Sequence, residues 1–143
     1  MPKSKPLTIA KLLRMPTKDY MNPEQLAFFK CQLLALKQQA SEHIETIKQE
    51  IAGTQLREAD ELDRALAEED NRQRMRIAER EYYLMRKIDK ALERIADGSY
   101  GYCEASGVEI GLQRLLARPT TEFSTEEKAR QEQLERNFSK ARN

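Results

Sequence analysis

The sequence predicts a mainly α-helical protein in which a long antiparallel coiled-coil hairpin stands on a small globular base. Three observations carry that expectation. Leu26, Phe29, Leu33, Leu36 and Ala40 recur at alternating spacings of three and four, the pattern of a coiled-coil seam. A second stretch carries Ile77, Leu84, Ile88, Ala91 and Ile95, flanked by Tyr82, Met85 and Leu92, and stops at Gly98. Charged residues make up 34% and hydrophobic residues 39% of the 143 positions, with no Trp, which suits helices with a narrow apolar stripe better than a thick core.

These signals divide the chain into residues 1–21, an N-terminal part of the base; 22–98, the hairpin, with its tip near 53–65; and 99–143, a loop followed by a C-terminal helix. In the first part Thr8 is placed to cap a short helix around Ile9 to Leu13, which Pro16 stops. Asn22 then caps a long helix. Pro23 suits its first position, Gln25 sits three residues past the cap, and Met21 and Leu26 are set to form a hydrophobic staple. Beyond Ala40 a strict register would put His43 and Glu50 inside. A shift to Ile44, Ile47 and Ile51 keeps the stripe apolar, as a stutter does. Gly53 is expected to break this helix, with a turn over 54–59. A second helix is expected from near Asp60 to Asp97, and two long helices joined by so short a turn must run antiparallel. Residues 67–76 are almost wholly polar, which fits either a tip working in water or inside another protein's channel, or a frayed, solvated end. Gly101, Gly107, Gly111 and Pro119 mark residues 99–121 as a compact loop region around a short helix at Leu112 to Leu116. A last, polar helix starts near Ser124 and carries Leu134 and Phe138 on one side.

Composition excludes several classes. Lys and Arg number 25 against 24 Asp and Glu, a net charge of +1, so nothing points to direct DNA binding. No apolar run reaches the ~20 residues that cross a bilayer. Lys11, Arg14 and Pro16 break up the N-terminus as a secretory signal. Two distant cysteines make no disulfide framework, and a cytoplasmic protein is expected. His43, the only histidine, and Cys31 lack sequence neighbours for chemistry, and Cys103 has no nearby histidine base, so an enzyme is not expected.

The stretch from Tyr100 to Lys128, YGYCEASGVEIGLQRLLARPTTEFSTEEK, opens as a four-thiolate zinc site does, with Gly-Tyr-Cys-Glu-x-x-Gly. Only Cys103 is present. Ser106 stands where the second thiol would be, and Ser124 and Glu127 stand where a distant Cys-x-x-Cys would be. The tract resembles the zinc-finger region of the DksA/TraR family, bacterial factors that bind RNA polymerase through its secondary channel, and the resemblance covers residues 20–135. It implies a degenerate zinc-finger-like loop with former ligand positions at Cys103, Ser106, Ser124 and Glu127 and no bound zinc. One thiol, two hydroxyls and one carboxylate are a poor zinc set; a degenerate site completed by outside ligands is the rival. In place of the metal, Ser124-Thr125-Glu126-Glu127 reads as a capping box, the Ser124 hydroxyl accepting from the Glu127 amide and the Glu127 carboxylate reaching back to the Ser124 amide. Val108, Ile110, Leu112, Leu115, Leu116 and Phe123 are expected to supply the remaining contacts. Cys103 is either a plain, partly buried thiol or a redox sensor. Nothing in the local sequence lowers its pKa, and Glu104 beside it should raise it.

At the turn, Asp60 and Asp63 are three apart and share a helical face. Such a pair can cap the helix, ligate a hard cation or meet basic groups of a partner. With Ala65 they match the Asp-x-x-Asp-x-Ala motif of the family's tip. The resemblance therefore implies that Asp60, Asp63 and Ala65 enter the secondary channel toward the catalytic centre and alter promoter-complex stability, serving activity rather than docking. It also implies that Leu84, Lys87, Arg118 and Lys128 bind the alarmone ppGpp together with polymerase, a pairing that suits a pyrophosphate held by Lys and Arg. Arg80 and Arg114 match basic family positions and are candidate polymerase contacts. The expected protein is a monomeric, zinc-independent regulator whose activity survives chelators and oxidants. The alternative from another class is a coiled-coil scaffold with no polymerase role.

Overall fold

In the computed structural model, which describes residues 7–55 and 61–142, helices dominate in the order α1 (Ile9–Arg14), α2 (Pro23–Gln55), α3 (Glu61–Asp97), α4 (Leu112–Ala117) and α5 (Thr125–Arg142). A single 3-10 turn, Thr17–Asp19, precedes α2. The mainly helical fold expected from the sequence is the one observed. The chain forms two compact units, one of residues 34–89 and one of residues up to Leu33 together with those from Lys90 onward.

In the first unit α2 and α3 pack as an antiparallel hairpin. Lys37 meets Asp89 at 2.6 Å, His43 Nδ1 meets Glu81 at 3.4 Å and Arg74 meets Glu50 at 3.3 Å, so partners ascend α2 as they descend α3. Ala40, Ile44, Ile47 and Ile88 form the buried layer, and His43 and Glu50 are exposed, so the stutter after Ala40 is real. Two expectations are corrected. Gly53 does not break α2, which continues to Gln55. A lone helical Gly costs only ~1 kcal/mol, and the Thr54 hydroxyl donates to the Glu50 carbonyl across that turn. Ile77 is not in the seam either, being 39% exposed. The inward row on α3 is Ala67, Asn71, Arg74, Ala78, Glu81 and Met85, half-buried and spaced four and three, ending on buried Ile88. Charged side chains occupy that row because their partners stand opposite on α2, at Glu50 and His43. Small and paired residues let two long helices approach in water without a continuous apolar face.

The base unit is built around Leu12, Phe29, Leu33, Tyr100 and Leu115, all essentially inaccessible to solvent. Thr8 caps α1 through its hydroxyl, which accepts from the Lys11 amide at 3.3 Å. At the start of α2 the Gln25 amide donates to Asn22 Oδ1 at 2.9 Å, while Gln25 Oε1 accepts from the Met21 amide at 2.9 Å. This capping box reaches one residue further back than the usual one, and it buries Gln25 completely. Val108, expected in the core, is instead 50% exposed, and Ile110 is the buried residue of that tract. On α5, Leu134 and Phe138 are 54% and 63% exposed.

Candidate functional site: a hydrogen-bonded loop and an acidic tip

The loop after α3 owes its shape to backbone pairing. Tyr102 and Glu109 form an isolated antiparallel bridge. The Cys103 amide donates to Val108 O at 2.7 Å, the Gly107 amide to Cys103 O at 2.8 Å and the Ile110 amide to Gly101 O at 2.8 Å. The tight reversal needs Gly107 at φ +76°, a conformation that L side chains resist. The loop is tied toward α5 by the Glu104 amide, which donates to Glu122 O at 2.8 Å. Lys90 adds ion pairs to Glu122 (3.2 Å) and Glu104 (3.8 Å).

Of the four ligand positions that the resemblance implies, Cys103, Ser106 and Ser124 come together, and Glu127 joins them only through its amide, which donates to the Ser124 hydroxyl. Cys103 is 3% exposed and Ser124 is equally buried. The Ser106 hydroxyl and the amides of Ser124, Ser106 and Ala105 face the Cys103 sulfur. Burial is the largest single influence on that thiol and pushes its pKa up. The four donors act together in the opposite sense and prevail, drawing it from 9.0 to about 6. This corrects the expectation that nothing local lowers the Cys103 pKa: the Ser106 hydroxyl does so, joined by three backbone amides, which residue identities do not advertise. The Ser124 hydroxyl accepts from the Glu127 amide at 3.2 Å, so half of the expected capping box forms. The reciprocal half does not. The Ser124 amide faces Cys103, and the Glu127 carboxylate pairs with Arg130 at 3.6 Å. The Cys103 sulfur, facing the Ser124 amide, thus joins the knuckle at 103–107 to the start of α5, where a structural zinc would make the connection.

Zinc itself does not fit. Among the described residues no three His, Cys, Asp or Glu side chains converge on one point. One thiol with two hydroxyls cannot supply the four Cys or His ligands of a structural site.

Other residues that hold the base were not singled out from the sequence. Arg94, 8% exposed, donates through Nη2 to the carbonyls of Ser99 (3.0 Å) and Tyr102 (2.6 Å) and through Nε to the Ser99 hydroxyl (3.3 Å). The Tyr100 hydroxyl donates to Pro119 O at 2.7 Å, its ring packs against Phe29 at 5.6 Å, and burial pushes its pKa well up. Tyr20 donates to Gly101 O and accepts from the Gly111 amide at 2.9 Å, its ring edge-on to Tyr102. Burial, the largest influence, raises the Tyr20 pKa, so the hydroxyl keeps its proton. Replacing Tyr20 by Phe removes both bonds and strands the Gly111 amide. The expected cost is about 2 kcal/mol, to be read as a lower urea midpoint with unchanged m-value. An unchanged midpoint would show that Tyr20 merely fills space.

Asp60 lies outside the described residues. Asp63 and Ala65 lie in the first two turns of α3 and are exposed, with Asp63 in the helix's acidic first turn. Arg80, Leu84 and Lys87 follow on α3 at spacings of four and three, and so share one face of the hairpin unit, with Leu84 half-buried and the two cations exposed. Arg118 and Lys128 are exposed in the base unit. Arg80, Lys87, Arg118 and Lys128 make no ion pair among the described residues. Arg114 is half-buried and donates through Nε to Phe123 O at 3.0 Å.

Comparison with known proteins matches both parts of the chain. Residues 25–95 match the family model described as the DnaK suppressor protein DksA, N-terminal domain, and residues 98–133 match that of the prokaryotic dksA/traR C4-type zinc finger. A Caulobacter vibrioides protein named RNA polymerase-binding transcription factor DksA is 45% identical over 124 residues, 85% of this chain and 87% of that one. The Escherichia coli K12 protein of the same name is 38% identical over 108 residues, 76% of this chain and 72% of that one. The solved structure of transcription factor DksA2 from Pseudomonas aeruginosa superimposes with a TM-score of 0.83 at 43% identity, covering 90% of this chain and 99% of that one. A helical hairpin, a cysteine knuckle with one thiol left, and these matches along both units make the chain a member of the DksA family.

Proposed function

We propose that this protein binds bacterial RNA polymerase, inserts its acidic tip into the secondary channel and, with ppGpp, alters the stability of promoter complexes without needing zinc. The observation that carries the reading is the 45% identity spread over 87% of a relative named for polymerase binding. The exposed Asp63 and Ala65 at the start of α3 support the tip's role. Asp60 takes the same role by the motif. Arg80 and Arg114 serve docking, and Leu84, Lys87, Arg118 and Lys128 serve ppGpp, in keeping with Arg80, Lys87, Arg118 and Lys128 making no ion pair among the described residues. The protein acts as a cytoplasmic monomer, and no helix among the described residues is long and apolar enough to cross a membrane. The base keeps its knuckle through hydrogen bonds, so activity survives chelators. The lowered Cys103 pKa removes the reason to expect indifference to oxidants.

The test is transcription from a ribosomal RNA promoter with purified polymerase, with and without ppGpp. Asp63→Asn is expected to bind polymerase within about twofold of wild type, as exposed substitutions usually do, and to lose the effect on transcription. Lys87→Ala is expected to keep the basal effect and lose the response to ppGpp. A coiled-coil scaffold would be indifferent to both changes, and failure of the wild-type protein to bind polymerase would refute the proposal.

A further inference from the structure

We propose that the base carries a binding site for a free apolar amino acid, in the cleft between the N-terminal segment and the loop at 109–114. The cleft encloses about 520 Å³, within the range of small-molecule sites. One wall is apolar, formed by Leu13, Pro16 and Ile110. Leu13 is 47% exposed although it sits beside the buried Leu12 on the same helix, so apolar surface is available there.

Two charged groups of the lining are under-used, and a third polar group lies buried behind it. Gln25 is fully buried, and its Nε2 has the Met15 thioether at 3.6 Å as its one partner. A thioether is a weak acceptor, so this amide is loosely held just behind the lining, where it reports on occupancy of the cleft without itself reaching a ligand. Arg114 spends its Nε on Phe123 O and makes no ion pair among the described residues. Glu109 is exposed and is likewise without an ion pair. The Tyr20 hydroxyl is committed on both sides and is not available to a ligand.

One cation and one anion in a single cleft select against singly charged ligands. A simple carboxylate meets repulsion from Glu109, and a simple amine meets it from Arg114. A zwitterion answers both, its carboxylate toward Arg114 and its ammonium toward Glu109. The apolar wall then fits an aliphatic side chain. Leucine, isoleucine and valine have this chemistry. The site needs no polymerase to form, although it shares Arg114 with the proposed docking contacts.

Titration of the isotopically labelled full chain with L-leucine, followed by amide NMR, tests the site. The expected result is saturable shifts of the Gln25 side-chain amide and the Gly111 backbone amide, with a dissociation constant on the order of 1 mM. Isocaproate, leucinamide and isoamylamine each lack one feature of the zwitterion and are expected to bind about tenfold more weakly or worse. Glu109→Gln is expected to weaken leucine about tenfold while leaving isocaproate no weaker. Absence of shifts up to about 20 mM leucine, shifts confined to other residues, or equal binding of isocaproate would overturn the proposal.

Discussion

Replacing Gly101 by Ala is expected to destabilise the base unit by about 3 kcal/mol, lowering its melting temperature by roughly 10 °C. A Cβ at this position would lie 2.6 Å from Met21 Cγ and 2.7 Å from Met21 Sδ, with the Tyr20 hydroxyl at 3.3 Å. The first two distances are far inside van der Waals contact. The clash is with the middle of the Met side chain, whose backbone is already in the left-handed region at φ 55° and is tied by its amide to Gln25. Gly101 itself sits at φ +91°, which adds backbone strain for any L side chain. Its carbonyl accepts from both Tyr20 and Ile110, so a shift that relieves the clash breaks the contact joining the N-terminal segment to the loop. The double variant Gly101→Ala with Met21→Ala separates the two costs. Removing the Met side chain relieves the overlap and leaves the backbone strain, so the pair is expected to be less destabilised than additivity requires. Strict additivity would show that Met21 is not what Gly101 makes room for.

Gly101 also illustrates what could be read before the structure. The hairpin was legible because it is governed by local rules: Pro23 after Asn22 starts a helix, Gly98 ends one, and the stripe Ala40, Ile44, Ile47 marks a buried face. Where local rules stopped, reading failed in recognisable ways. Ile77 looked like core by hydrophobicity, but the inner row of α3 passes through Arg74 and Glu81, whose fitness for the interior depends on Glu50 and His43, 24 and 38 residues away in sequence. Gly53 looked like a breaker because propensity was weighed without the long helix around it. In the base, the Gly-Tyr-Cys-Glu opening at 101–104 pointed to the tract that matches the C4-type zinc-finger model. The device that replaces the metal was only half legible. Ser124 was visible as a cap, yet its amide turns to the thiol, and backbone donors leave no mark in the sequence. Tyr20, Tyr100 and Arg94 fasten distant segments, and such long-range hydrogen bonds have no periodicity to betray them.

Above about pH 6 the base is expected to be stabilised by the ionised Cys103. The folded-state pKa of this thiol is about 6 against 9.0 for a free one, so the folded protein sheds the proton more readily than the unfolded chain. Between those values the unfolded state holds more protons, and stability rises with pH by at most ~1.4 kcal/mol per unit. The contribution is complete above pH 9 and is lost as pH falls through 6. The measurement is urea unfolding between pH 6 and 8.5, comparing a Cys31→Ser background with the same background carrying Cys103→Ala. The exposed Cys31 is removed so that Cys103 alone supplies a thiolate to the ultraviolet signal. Stability of the background should climb with pH relative to the Cys103→Ala variant, and thiolate absorbance should appear near pH 6 in the folded protein alone. The window lies below the range where the raised pKa values of Tyr20 and Tyr100 would oppose the trend, and above that of Asp97, whose carboxyl is held low by Ser99. Parallel curves for the two proteins would mean that Cys103 is protonated at neutral pH. The link between the knuckle and α5 would then rest on Ser124, the Glu104–Glu122 backbone bond and Lys90 alone. If the curves diverge, a single anion surrounded by amides holds together what four thiolates and a metal hold in a complete zinc knuckle. A thiol-alkylating reagent should then unfasten α5 from the loop while leaving the helical hairpin folded.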